Sequence, residues 1–232
     1  MILDFNIKNL WVIDAFGTEI WITETIFNTW IIMLLLIVIA VIVRVKLRKF
    51  KEIPTGFQNV VEIAVESVDG LVRSVAGEKC VALGNWFFMV FVFVLLSSLA
   101  GIFGLRPPTA DWATPFALAL ATFFLTHAMG VSHRKGKYLK SFFQPSFLFF
   151  PLNVIGELSR PISLSFRLFG NVLAGMILMT LVYGIAPLIF RFVIPAALHA
   201  YFDLFSGALQ TYIFCVLSLT FIGAAATSAE DA

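Results

Sequence analysis

Charge is scarce in this chain. Only 13% of its 232 residues are Asp, Glu, Lys or Arg, against about a quarter in a soluble globular domain. Cysteine occurs twice, as Cys80 and Cys215, and histidine three times. Two cysteines in apolar stretches far apart read as buried reduced thiols and define neither a disulfide framework nor a zinc site. The paired membrane histidines that a haem needs are missing. So are a glycine-rich phosphate loop and a nucleophile motif. No cofactor and no metal is implied. The basic residues flank lipid-length apolar runs, so nothing supports nucleic-acid binding. What is abundant is apolar surface: 60% of residues are hydrophobic, with 26 phenylalanines. A soluble chain of this length buries one good core, but it cannot hide that many. The solvent for most of the surface is the lipid bilayer.

The apolar runs predict an all-α membrane protein. About five helices are membrane-embedded, one amphipathic helix lies on the surface, and the last two spans are long and strongly tilted. We read residues 1–232 as a single membrane domain. Residues 1–25 form an outer N-terminal segment. It has no basic stretch leading into an apolar core, so neither a cleaved signal peptide nor a mitochondrial presequence is expected. A first span covers 26–43 and is followed by Arg44, Lys46, Arg48, Lys49 and Lys51. The positive-inside rule places this cluster in the cytoplasm and the N-terminus outside. In 55–77, Val60, Val61, Ala64, Val68, Leu71 and Val75 recur at helical spacing with Glu62, Glu66, Asp69 and Arg73 between them. That is the amphipathic surface helix, with Pro54 and Gly56 at its start.

Spans at 83–103 and 114–131 form a hairpin turned by GLRPPTAD, whose prolines cannot continue a helix. His133, Arg134, Lys135, Lys137 and Lys140 follow. This second basic cluster agrees with the first on orientation and leaves the C-terminus cytoplasmic. Residues 151–186 and 195–226 form the two long helices, with a kink expected at Pro161 and a link around Pro187 and Arg191. At 1.5 Å per residue each is near 50 Å, well beyond a ~30 Å hydrocarbon core, so they tilt, bend or lie partly flat.

The residues that stand out are polar groups on these apolar helices. Arg167, in ISLSFRLFGNVLAG, costs about 3 kcal/mol at mid-membrane and cannot shed its proton. It needs a counter-charge or a polar cavity, or it snorkels to an interface. Glu157, ten residues earlier, is about 15 Å away along the axis, a poor partner. Ser163, Asn171 and Ala174, with Gly170 beside them, make a small or polar stripe near Arg167. It suits either a moving partner that carries a carboxylate or ordinary helix packing.

On the last helix, Asp203, Gly207 and Gln210 share a face. Asp203 is a proton or cation relay candidate, or else a helix-start acid favoured by the dipole. His199, four residues earlier, either bonds to Asp203 or is a plain interfacial histidine. Asp111 is a turn-capping aspartate or an acid at a channel mouth. His127 reads as a packed or interfacial histidine.

These segments carry a resemblance. SRPISLSFRLFGN, with LAG after it, closely resembles the signature of the a subunit of F-type rotary ATP synthases. FDLFSGALQTYIFCVLSLTFI resembles that family's last helix, PPTADWATPFALAL its third-to-fourth helix region, and PTGFQNVVE the stretch before its surface helix. The resemblance implies a non-catalytic, ion-translocating stator beside a ring of c subunits, held with the peripheral-stalk b subunits and the rest of the ATP synthase complex. It implies that Arg167 faces the ring, that Gln210 is its partner from the last helix, and that two offset half-channels serve the two sides of the membrane. Asp203, Asn171, His199, Asp111 and Glu157 are the remaining candidates for the ion path. Three departures stand out. A glutamate common nine residues after the arginine is Met176 here, and Asp203 stands where other members carry histidine. An asparagine common before the PTAD-like link is replaced in that neighbourhood by Ser97 and Ser98.

A stand-alone transporter would show repeats or broken helices in matching halves, and the sequence has none. A passive anchor leaves Arg167, Asp203 and Gln210 without a reason. With no presequence in view, a bacterial cytoplasmic membrane is expected in preference to an organelle's inner membrane.

Overall fold

The structure is a computed structural model. It describes residues 9–15, 18–47, 50, 56–144, 146–185 and 193–227. Arg48, Lys49, Lys51, Pro54, Pro187 and Arg191, all used above, lie outside the described residues.

Among the described residues, five helical stretches are long and apolar enough to cross a membrane: Glu24–Leu47, Glu78–Phe103, Ala113–Arg134, Phe147–Gly184 and Ile194–Ala226. The chain is a multi-pass, predominantly helical membrane protein. In order, the helices are α1 (Glu24–Leu47), α2 (Phe57–Ala76), α3 (Gly84–Leu99), α4 (Ala113–Arg134), the short α5 (Gly136–Ser141), α6 (Phe150–Ile185), α7 (Val193–His199) and α8 (Gly207–Ala226). A wide π-helical stretch, Ala200–Ser206, joins α7 to α8. Tight 3₁₀ turns flank α3 at Glu78–Leu83 and Ala100–Phe103. α6 continues as one helix through Pro161. Its ring is buried, so packing holds a residue that by itself disfavours a helix interior.

One element was not legible in the sequence. Residues within the outer N-terminal segment form an antiparallel β-hairpin, β1 (Asn9–Ala15) with β2 (Thr18–Thr23), which leads directly into α1. Thr23 makes the junction: its hydroxyl accepts the backbone N–H of Ile26 at 3.4 Å, the service an N-cap hydroxyl gives to a helix's unpaired donors.

The chain gathers into two compact units, each assembled from three separate stretches. Unit 1 comprises Met1–Val45, Val92–Thr114 and Leu168–Thr211; unit 2 comprises Lys46–Phe91, Pro115–Arg167 and Tyr212–Ala232.

In unit 1, Ile32 and Leu36 of α1 pack on Ala100, with Val92, Phe93 and Leu96 around them. Polar groups tie the same helix to the link after α3. Asn28 donates to the carbonyl of Arg106 at 2.9 Å, and Thr25 donates to Asp111 at 3.4 Å. Such bonds matter in an apolar solvent, where an unmet carbonyl or carboxylate costs several kcal/mol.

In unit 2, Val68, Val72 and Ala76 of α2 are buried. A side chain at Gly223 of α8 would meet the Cα of Ala76 at 2.9 Å, so the two backbones touch where glycine allows it. The apolar stripe of α2 divides along its length. Its C-terminal part packs on protein, while Val60 is 66% and Ile63 53% exposed, the surface a helix lying on a bilayer presents. Thr122 of α4 and Ser218 of α8 face each other at 3.4 Å between their hydroxyls.

Candidate functional site

Arg167 lies on the exposed face of α6. Leu164, Ser165 and Leu168 form the buried side of the same turns. No ion pair or hydrogen bond involving the Arg167 side chain occurs among the described residues. Ser163, Gly170 and Ala174 share its exposure, so a flat, small-residue track borders the guanidinium. Asn171, expected on that track, is half-buried and turned to another task. Its side-chain oxygen accepts the Ser206 hydroxyl at 2.8 Å, and its amide nitrogen lies 3.5 Å from the Ser206 carbonyl.

Unit 1 contains a cavity of about 300 Å³ with several polar groups in its wall. Its wall includes Glu24, Arg106, Met176, Tyr183, His199 and Asp203. His199 and Asp203 are one helical turn apart, with Nδ1 2.5 Å from Oδ2. Tyr183 adds its hydroxyl 3.4 Å from the other ring nitrogen of His199. The two His199 nitrogens therefore link a phenol to a carboxylate. Asp203 sits in the π-helical stretch, whose wider turn re-aims side chains relative to an α-helix. Its carboxylate rests on Gly101, where a Cβ would lie 2.7–2.9 Å from the carboxylate atoms. Met176 occupies the wall beside Asp203, so the acids of this cavity, Glu24 and Asp203, come from α1 and the last helical stretch and not from α6. Asp111 is not in this wall; its carboxylate accepts from Thr25, and its backbone carbonyl accepts the N–H of Thr114 at 3.2 Å at the start of α4.

Gln210, also in unit 1, is 7% exposed and its amide nitrogen has no hydrogen-bond partner. A buried amide donor without a partner is costly.

Unit 2 contains a second polar cavity, of about 390 Å³, whose wall includes Arg134, Tyr138, Asn153, Glu157 and Arg160. Glu157 is here, paired with Arg160 at 2.9 Å. Arg160 also covers the ring of Phe221 at 5.0 Å, a cation–π contact. Tyr138 of α5 reaches His127, with 2.8 Å between Oη and Nδ1. Burial, with a further push from the Glu157 carboxylate, holds the Tyr138 phenol above its ordinary range, while Arg160 and Arg134 pull the other way.

Three of the wall residues, Tyr138, Arg160 and Asn153, were not singled out in the sequence. Arg160 carried a readable signal, the i,i+3 spacing from Glu157. Tyr138 carried none, because its partner His127 is on a different helix. Both cysteines are buried and free. Among the described residues no three His, Cys, Asp or Glu side chains gather as a metal site would need.

The chain matches the family described as ATP synthase A chain over residues 26–223. It is 34% identical to the sodium-ion-specific ATP synthase subunit a of Propionigenium modestum, over 90% of this chain and 76% of that one. It is 36% identical to ATP synthase subunit a 2 of a Bradyrhizobium strain, over 89% of this chain and 90% of the relative. With ATP synthase subunit a of Moorella thermoacetica it shares 34% identity over 87% and 89% of the two chains. The family match covers Arg167, Gln210, the His199–Asp203 pair and the Glu157–Arg160 pair, and the chain belongs to the ATP synthase A chain family.

Proposed function

We propose that this chain is the ion-translocating stator of a rotary ATP synthase, a single membrane domain that performs no ATP chemistry itself. The observation that carries the proposal is Arg167: a permanent cation on the exposed face of a membrane helix, with no partner among the described residues. A charge so placed calls for a mobile counter-charge, and the carboxylate of a passing c subunit supplies one. Gln210, which the family resemblance pairs with the arginine, is a second residue proposed for the ion path.

Opposite Arg167 the ring carboxylate is held ionised, because a nearby cation lowers its pKa. It gives its ion to one half-channel, passes the arginine charged, and is reloaded from the other. We assign the unit 1 cavity to the outer side. Its His199–Asp203 pair shuttles the ion, and Asp111 lies toward its mouth. We assign the unit 2 cavity, with Glu157, to the cytoplasmic side, because Arg134 of the second basic cluster is in its wall and such clusters stay inside. Asn171 holds the π-helical stretch through Ser206, which keeps Asp203 aimed into its cavity. Arg167 also repels cations that would slip directly between the half-channels. Each charge moved contributes about 2.3 kcal/mol per 100 mV, and the ring sums several of them. The peripheral-stalk b subunits hold the chain against rotation in a bacterial cytoplasmic membrane, with the N-terminus outside.

ATP-driven acidification of membrane vesicles carrying Arg167→Ala tests this, with assembly checked on the same preparation and a sodium tracer run in parallel. An assembled complex that hydrolyses ATP but moves neither ion is the expected result. Transport at the wild-type rate would remove Arg167 from the mechanism and leave a passive anchor.

A further inference from the structure

No residue of the β-hairpin ahead of α1 lines either cavity, yet the hairpin exposes large apolar side chains. In its ladder Val12 pairs with Trp21, and Trp11 with Ile22. Partners share a face. On one face Trp11 sets its ring edge-on to Phe27 of α1, with centroids 5.8 Å apart, and Ile22 is only 8% exposed. That face meets α1 through the Trp11–Phe27 contact, with Trp11 itself still 56% exposed. On the other, Val12 and Trp21 are each 51% exposed, and Leu10 on the same strand is open as well.

A lone two-stranded hairpin is marginal in water. This one has little protein beneath it and presents tryptophan outward. It needs an apolar or half-apolar medium on its open face.

We infer that the open face of the hairpin, centred on Trp21 and Val12, is an anchor that lies in the headgroup layer of the bilayer at the N-terminal end of α1. Three observations select lipid as the occupant. The first is continuity. β2 ends at Thr23 and α1 begins at Glu24 with no linker, so Trp21 stays within about 10 Å of the helix end at ~3.4 Å per strand residue. The membrane-exposed surface of α1, including Trp30, Ile31, Leu34 and Leu35, starts there. The second is polarity along the open face. Its far end is Asp14 opposite Glu19, both exposed. Like charges directly across a ladder repel, and only water screens them well. The face therefore grades from water-seeking charge to apolar side chains as it approaches α1. The third is residue type, since tryptophan prefers the membrane–water boundary, where its ring and N–H are both served. The hairpin's outer backbone edges cannot enter hydrocarbon unpaired, which fixes the depth at the headgroups.

The anchor holds the N-terminal end of α1 at a set height. Thr25 and Asn28, which bond to Asp111 and to the carbonyl of Arg106, lie in the first turns of that helix.

The test places the photo-crosslinker p-benzoylphenylalanine at Val12, Trp21, Glu19 or Leu34, one at a time, in the assembled complex in its own membrane. Phospholipid adducts at Val12 and Trp21, comparable with those at Leu34 and absent at Glu19, are expected. Adducts to another subunit or to a second copy of this chain would overturn the inference and make the face a protein interface. The absence of any adduct at Val12 and Trp21, with Leu34 still labelling lipid, would overturn it in favour of a water-exposed hairpin. Either position alone gives the readout if the other variant does not accumulate.

Discussion

His199 and Asp203 meet across one helical turn, with 2.5 Å between Nδ1 and Oδ2, in the wall of the unit 1 cavity. A carboxylate held this close to imidazole can pass a proton without leaving its place. Replacing Asp203 with Asn keeps the shape and removes the charge and the basic oxygen. We expect at least about a tenfold loss of ATP-driven pumping, equal to ~1.4 kcal/mol of barrier, with assembly intact. Asp203→Glu should recover part of the rate. Vesicle acidification by the two variants checks both statements.

Gly101 sets the space in which Asp203 sits. A methyl there would fall 2.7–2.9 Å from the carboxylate atoms, and overpacking of this kind costs about 1–3 kcal/mol. Gly101→Ala should therefore slow ion transfer through Asp203 while leaving the complex assembled. Pumping by Gly101→Ala at the wild-type rate would show that the carboxylate has room to move aside. The double variant with Asp203→Asn should be no slower than Asp203→Asn alone, since both act on one group.

Glu157 and Arg160 form the ion pair of the unit 2 cavity. Glu157→Gln leaves Arg160 with its ring contact to Phe221 but no counter-charge. We expect slower pumping, by about tenfold or ~1.4 kcal/mol, and partial recovery when Arg160 is also neutralised to Gln. Unchanged transport in the single variant would take Glu157 out of the ion path and leave it a structural pair.

Tyr138 supplies a pH test outside the membrane spans. Burial raises its pKa above the ordinary value of about 10. A group with a raised folded-state pKa contributes stability that is fully present below its unfolded pKa and lost as pH rises through the folded one. The protein should hold its Tyr138–His127 contact through neutral pH and lose stability above about pH 10. Spectrophotometric titration of tyrosine should show a late-ionising group that disappears in Tyr138→Phe.

Much of this was legible in the residues. The span lengths follow from apolar runs, because a bilayer needs about 20 apolar residues whatever the neighbours are. The five candidate spans correspond to the five runs read from the sequence. Arg167, Asp203 and Gln210 stood out because polar groups are rare and costly in such runs. Less was legible where geometry depends on contacts between distant segments. Asn171 looked like part of the Arg167 stripe by spacing, yet Ser206, 35 residues away, holds its side chain. The β-hairpin escaped because Leu10–Ile13 and Ile20–Ile22 are short apolar runs without alternation, and such runs do not distinguish strand from helix.

By itself, the sequence determined that this is a multi-pass helical membrane protein of a known family, and it singled out Arg167 as a costly charge in an apolar helix. Those conclusions rest on local chemistry: the cost of charge and unpaired backbone in lipid, which each residue carries wherever it goes. Only the tertiary structure decided which polar groups share a cavity. It placed Asp203 against Gly101 and His199 in unit 1, and Glu157 with Arg160 and Tyr138 in unit 2. The physical reason is that helix contacts are set by how side chains of different segments interlock, and spacing within one segment carries no record of that.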